Sequence, residues 1–189
     1  KTTLVNHILS DKTHGKKIAI IENEFGDVGI DDALMAKNAK EQVEEEIIEM
    51  MNGCICCTVR QDLVVVLRKF SERMKQGKLK KLDSVLIETT GMADPAPVAQ
   101  TFFVDDEVKE NFRLDGIVTL IDAKHVEQHL DEEKAEGQEN EAVEQVAFAD
   151  RMILNKTDLV TEDDLVRVEK RLKSMNSSAG IIRSERSAV

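Results

Sequence analysis

The chain has 189 residues, 41% of them hydrophobic and 33% charged, which is enough to bury one ordinary core and fits a single domain. Twenty-six Lys and Arg stand against thirty-seven Asp and Glu, a formal net charge of -11, and such a surface repels nucleic-acid phosphates and anionic lipid. No apolar run approaches the ~18 residues that span a bilayer and nothing resembles a signal peptide, so neither nucleic acid nor membrane is an expected partner and the expected location is cytoplasmic.

The chain opens on Lys1-Thr2-Thr3-Leu4, and Thr2 to Leu9 has helical spacing. Lysine and hydroxyl before a helix match the end of G-x-x-x-x-G-K-[ST], where the lysine reaches the β- and γ-phosphates, the hydroxyl takes Mg²⁺ and backbone N–H groups cradle phosphate. The motif's glycines do not precede Lys1, and with no initial Met and a close on Ser187-Ala188-Val189 both ends read as cut, the domain being incomplete at the N-terminus.

A strand is expected over Lys17 to Ile21, followed by the acidic Glu22-Asn23-Glu24-Phe25-Gly26-Asp27, and a weaker one over Glu46 to Met50. Next comes "MNGCICCTV", which holds all three cysteines: Cys54, Cys56 and Cys57. A disulfide fits poorly, since three is odd and neighbouring cysteines close a strained ring. A thioredoxin-like pair, Cys54 and Cys57 at C-x-x-C spacing, stays open as a reading. Metal binding fits the chemistry better, because clustered thiolates favour Zn²⁺ and Gly53 permits the tight turn that lets sulfurs converge. Three local ligands leave one of zinc's four positions open, which favours exchange over a closed structural site. Glu22 is the first candidate for a fourth ligand, while Glu24 and Asp27 read equally as solvated or directed to Mg²⁺.

Asp62 to Lys75 is helical in spacing, its stripe of Leu63, Val66, Leu67, Phe70 and Met74 reading as core. The strand Asp83 to Glu88 runs into Thr89-Thr90-Gly91; an acid at such a strand end orders the Mg²⁺ shell in nucleotide triphosphatases, and the glycine N–H meets the γ-phosphate. A further strand covers Gly116 to Asp122. His125 and His129, at i and i+4, read as surface histidines, and His7 and His14 carry no readable signal. Glu127 to Glu144 is acidic and polar, expected as a solvated loop or frayed helix. After a helical Ala142 to Phe148, the strand Arg151 to Asn155 delivers Asn155-Lys156-Thr157-Asp158 to its C-terminal end, where open α/β sheets bind ligands. A carboxylate there accepts two bonds from N1–H and the N2 amino group of guanine, a donor pair that adenine lacks. A helix over Glu162 to Met175 and a strand over Gly180 to Arg183 complete the alternation, whose fold class is α/β, a mostly parallel sheet with helices on both faces.

"KTTLVNHIL", "IENEFGDVGID", "NGCICCTVRQDL", "IETTGMADPAPV" and "ADRMILNKTDLV" together resemble the CobW-like metallochaperone P-loop GTPases, relatives of the nickel-insertion GTPases of hydrogenase and urease maturation. "IDAKHVEQHLDEEKAEGQENEAVEQVAFADR" resembles the eukaryotic zinc-chaperone branch, the zinc-regulated GTPase metalloprotein activators, more than the bacterial cobalt proteins. The resemblance implies a P-loop GTPase domain over residues 1 to 189 without the family's C-terminal CobW domain. It implies GTP, Mg²⁺ and Zn²⁺ as ligands and slow GTP hydrolysis. Lys1, Thr2 and Thr3 match the phosphate-loop end, Thr2 being the Mg²⁺ ligand, and Glu88 and Gly91 match an E-x-x-G in the catalytic position. Asn155, Lys156 and Asp158 match the guanine motif; Cys54, Cys56 and Cys57 match the metal triplet, with Glu22 an acidic position implicated in metal binding. The implied partner is a client metalloprotein, with methionine aminopeptidase the analogy from that branch. A GTP-binding regulator or scaffold with a structural zinc is the alternative, and a thiol redox protein the third reading.

Overall fold

The computed structural model describes residues 1–22, 48–49, 58–79, 82–89, 91, 93–135 and 137–189. The chain divides into two compact units: one of Lys1–His7, Asp94–Ala96 and Leu114–Val189, the other of Ile8–Ala93 and Pro97–Arg113. In chain order the elements are α1 (Thr2–Ser10), β1 (Ile18–Glu22), β2 (Ile48–Glu49), α2 (Thr58–Lys75), β3 (Ser84–Glu88), α3 (Pro95–Val104), α4 (Asp106–Asn111), β4 (Val118–Asp122), α5 (Val126–Leu130), α6 (Glu141–Ala147), β5 (Arg151–Asn155), α7 (Glu162–Met175) and β6 (Gly180–Arg183), with short 3-10 turns at Lys12–His14 and Thr157–Leu159.

The unit of Ile8–Ala93 and Pro97–Arg113 holds a parallel sheet of order β2-β1-β3. Ala19, Ile20 and Ile21 are all buried, the unbroken apolar run that a parallel strand covered on both faces requires. The predicted stripe of α2 is buried at Leu63, Leu67 and Phe70, spaced four and three apart so that they share one helix face. Asp105 caps α4 by accepting from the Val108 amide at 3.0 Å, and Arg68 of α2 donates to the same carboxylate at 2.8 Å, tying the two helices together.

In the other unit β4, β5 and β6 form a second parallel sheet in that order. Its core gathers Ile121, Met152 and Leu154 from the strands with Val126, Leu130 and Val146 from α5 and α6 and Leu165, Val168 and Leu172 from α7. Helix α7 begins in a capping box, Thr161 accepting from the Asp164 amide while the Asp164 carboxylate accepts from the Thr161 amide. Asn176, just past its end, donates to the carbonyls of Val146, Ala147 and Ala149 and so holds the end of α6 against it.

Sequence periodicity places the long elements well, β5, β6 and α7 falling on their expected residues. It misses α3 and α4. Periodicity gives the stretch no element; its prolines at 95 and 97 fall in the first turn of α3, where an intrahelical N–H is not needed, and Asp94 accepts from the Ala96 amide at 2.8 Å. The acidic span Glu127 to Glu144 is more ordered than its composition suggests. Buried Val126 and Leu130 anchor α5, and Asn140 caps α6.

Candidate functional site

At the C-terminal end of β5 the chain turns sharply. Asn155 is the Cα partner of Asp122 at the end of β4 and is buried, 9% exposed. Its carboxamide has one partner for both ends: Oδ1 accepts from the Ser187 amide at 2.8 Å, and Nδ2 donates to the Ser187 hydroxyl at 3.1 Å. Ser187 lies in the turn Glu185–Ala188, where Arg186 and Ser187 have φ of 51° and 60°, the signature of a type I′ turn. The Ser184 carbonyl accepts from both the amide and the hydroxyl of Thr157, and the Ser184 hydroxyl donates to the Ala188 carbonyl. Two loops, one after β5 and one after β6, are thus welded around buried polar groups that are all paired.

Within that frame Lys156 takes the left-handed conformation, φ 63° and ψ 36°, which a residue with a Cβ adopts at a cost of about 1–3 kcal/mol. Its ammonium lies 2.6 Å from Asp122 Oδ2. The same oxygen accepts from His125 Nδ1 at 3.1 Å, and Oδ1 accepts from the Lys124 amide at 2.9 Å. Burial pushes the Asp122 carboxyl up, but these hydrogen bonds from Lys156, His125 and Lys124 outweigh it and bring it down to about 2. Asp158, in the 3-10 turn, is exposed, and no described side chain bonds its carboxylate.

The Thr2–His7 part of helix α1 belongs to the same unit. Lys1 precedes its first helical residue, and its carbonyl accepts from the amides of Leu4 and Val5. The amides of Thr2 and Thr3 stand at the helix start, where the N–H groups find no intrahelical acceptor and favour an anion. One turn on, His7 Nδ1 lies 3.1 Å from the Ser187 carbonyl; a carbonyl only accepts, so Nδ1 carries the proton.

Lys1, Thr2, Thr3, Asn155, Lys156 and Asp158 therefore lie in one unit, with α1 bonded directly to the loop that clamps Asn155. Glu22, Glu88 and Gly91 belong to the other. There Glu22 ends β1 as the Cα partner of both Glu88, the last residue of β3, and Glu49 of β2, while Gly91 is exposed in the following turn. Cys54, Cys56 and Cys57, with Glu24 and Asp27, lie outside the described residues. Among the described residues no three His, Cys, Asp or Glu side chains group as metal ligands, and His125 turns to Asp122 rather than to His129.

Sequence reasoning missed His7, Asp122 and Ser187. Asp122 carried a usable signal, since it ends an apolar strand as Glu88 does. His7 and Ser187 carried none, because their pairing joins positions 180 residues apart.

No helix among the described residues is long and apolar enough to cross a membrane. The model of the CobW/HypB/UreG nucleotide-binding domain matches residues 1–183. The zinc-regulated GTPase metalloprotein activator 1 of Schizosaccharomyces pombe is 40% identical over 183 residues, 96% of this chain and 42% of its own length. The Escherichia coli zinc chaperone YjiA is 39% identical over 181 residues, 96% of this chain and 52% of its own. A crystal structure of Zn(II)-bound YjiA GTPase superposes with a TM-score of 0.66 at 31% identity, over 96% of this chain and 52% of that one. The chain spans about half the length of the curated relatives it matches. Parallel strand pairs, helices between them and a likeness at this level give the chain the α/β P-loop GTPase fold, and it belongs to the CobW/HypB/UreG family of nucleotide-binding domains.

Proposed function

We propose that the protein is a slow GTPase metallochaperone that takes Zn²⁺ as cargo at Cys54, Cys56 and Cys57, with Glu22 as a fourth ligand, and hands it to a client metalloprotein under nucleotide control. The observation that carries the nucleotide half is the exposed Asp158 carboxylate, which no described side chain bonds, beside an Asn155 whose carboxamide is held by Ser187. That carboxylate pairs with guanine N1–H and its amino group, and the Lys156 stem lies along the base plane. Lys1 meets the β- and γ-phosphates and the first amides of α1 cradle them. The Thr2 hydroxyl, half-buried at the first helical position and bonded to no described residue, suits a hard cation, and Mg²⁺ bound there neutralises phosphate charge. Glu88 and Gly91 are the proposed E-x-x-G pair, an acid that would order a Mg²⁺ water shell and a glycine whose amide would meet a γ-phosphate.

Glu22 and Glu88 are register partners, which supports coupling: the strand that carries a zinc ligand lies beside the strand that carries the E-x-x-G acid. Order in sequence supports it as well, since Glu22 to Asp27 and the E-x-x-G segment flank the cysteines. Nucleotide and metal then bias the same loops, and the coupling is reciprocal. GTP affinity of the full-length protein with and without Zn²⁺ tests this. Tighter GTP binding with Zn²⁺, lost when any of the three cysteines becomes serine, is the expected result; equal affinities discard the switch. Names of the relatives support zinc as the cargo, and methionine aminopeptidase is the proposed client, tested by transfer of ⁶⁵Zn from the GTP-loaded protein to the apo-enzyme.

A further inference from the structure

We propose that Asp122 is a positioning residue of the guanine site, holding the Lys156 side chain in the place from which its stem covers the base. This rests on the guanine assignment of Asn155, Lys156 and Asp158. Three observations carry it. Asp122 ends β4 as the Cα partner of Asn155, so backbone pairing sets it level with the guanine loop, and the Ala123 amide extends that pairing to the Asn155 carbonyl at 2.9 Å. The carboxylate is aimed independently of the lysine, by the Lys124 amide on Oδ1 and by His125 Nδ1–H on Oδ2. Lys156 then meets it at 2.6 Å, while its backbone sits in the left-handed region.

A lysine stem has four rotatable bonds, and an unanchored one has to be immobilised when the nucleotide arrives. Asp122 fixes it in advance, so less binding energy is lost to ordering. The carboxylate also compensates the ammonium charge, which keeps the base pocket from capturing a phosphate in the wrong orientation. Asp122 touches no nucleotide atom in this scheme; it acts through Lys156.

A double-mutant cycle on the intact protein with Mg²⁺ separates that role from a general structural one. GDP affinity is measured by calorimetry for wild type, Asp122→Ala, Lys156→Ala and the double variant, with ADP as the control ligand. Each single change is expected to weaken GDP by roughly tenfold, and the double variant to bind within about twofold of Lys156→Ala alone. An additive loss of about a hundredfold, or an Asp122→Ala protein that binds GDP as wild type does, overturns the proposal. Should Asp122→Ala melt early, Asp122→Asn keeps an acceptor for the Lys124 amide and runs the same cycle, with a smaller loss expected on the same non-additive pattern. A wild-type protein that shows no preference for GDP over ADP overturns the guanine assignment and this role with it. If the preference is kept while the cycle is additive, only the role of Asp122 falls.

Discussion

His7 on α1 donates its Nδ1 proton to the Ser187 carbonyl 3.1 Å away, joining the first helix to the turn that clamps Asn155. The bond ties the residues proposed for the phosphates to those proposed for the base. His7→Ala is expected to cost about 1 kcal/mol and lower Tm by about 2–4 °C. His7→Asn, which keeps an N–H donor near the Nδ1 position, recovers most of it. Thermal melts of the three proteins decide the matter, and equal losses from both variants would assign the effect to something other than this bond.

Asn155 and Ser187 satisfy each other in a buried position, so removing one strands the other. Asn155→Ala leaves the Ser187 amide without its acceptor and is expected to destabilise by about 1–3 kcal/mol in urea denaturation. Ser187→Ala keeps the backbone bond and loses only the hydroxyl, so its loss should be smaller by about half.

Asp158 is exposed and unengaged by described side chains, and the proposed function gives its carboxylate to the guanine base. Asp158→Asn presents an amide that matches the N1–H and C2 carbonyl of xanthine. Competition binding is expected to move the preference from GTP towards xanthosine triphosphate by about a hundredfold or more. An unchanged preference removes the guanine assignment.

The Asp122 carboxyl is raised by burial but held at about 2 by its three donors, below the ordinary 3.8. A carboxylate depressed on folding stabilises the protein above the unfolded value, and that contribution disappears as pH falls from 3.8 through about 2. Asp122→Asn is therefore expected to reduce the acid-side loss of stability in that window. Denaturation curves at pH values above 3.8 and near 2, compared between variant and wild type, measure it; Asp105, Asp131 and Asp164 are shifted the same way and stay in both proteins.

On α7, Leu172 is 0% exposed within the second core and Val166 is 54% exposed on the opposite side. Leu172→Ala should cost about 2–5 kcal/mol through lost burial and the cavity it leaves. Val166→Ala should stay within about 0.5 kcal/mol, and urea titrations of both test whether this helix is packed as described.

Local chemistry made much of this legible before any coordinates. An unbroken run of β-branched and apolar residues such as Ile18 to Ile21 suits a covered parallel strand, and the spacing of Leu63, Leu67 and Phe70 puts them on one face if helical. Lys1-Thr2-Thr3, the strand-end Glu88 and Asn155-Lys156-Thr157-Asp158 were readable because each motif is contiguous and its position after a strand or before a helix follows from the neighbouring pattern. Helix α3 was not legible, because a proline favours or breaks a helix according to where in it the residue falls. Tertiary structure alone decided which residues serve those motifs. That Ser187 closes on Asn155, that His7 reaches Ser187 and that Asp122 meets Lys156 are consequences of strand register and chain return across 32, 180 and 34 residues, and no local periodicity encodes a pairing at such separations.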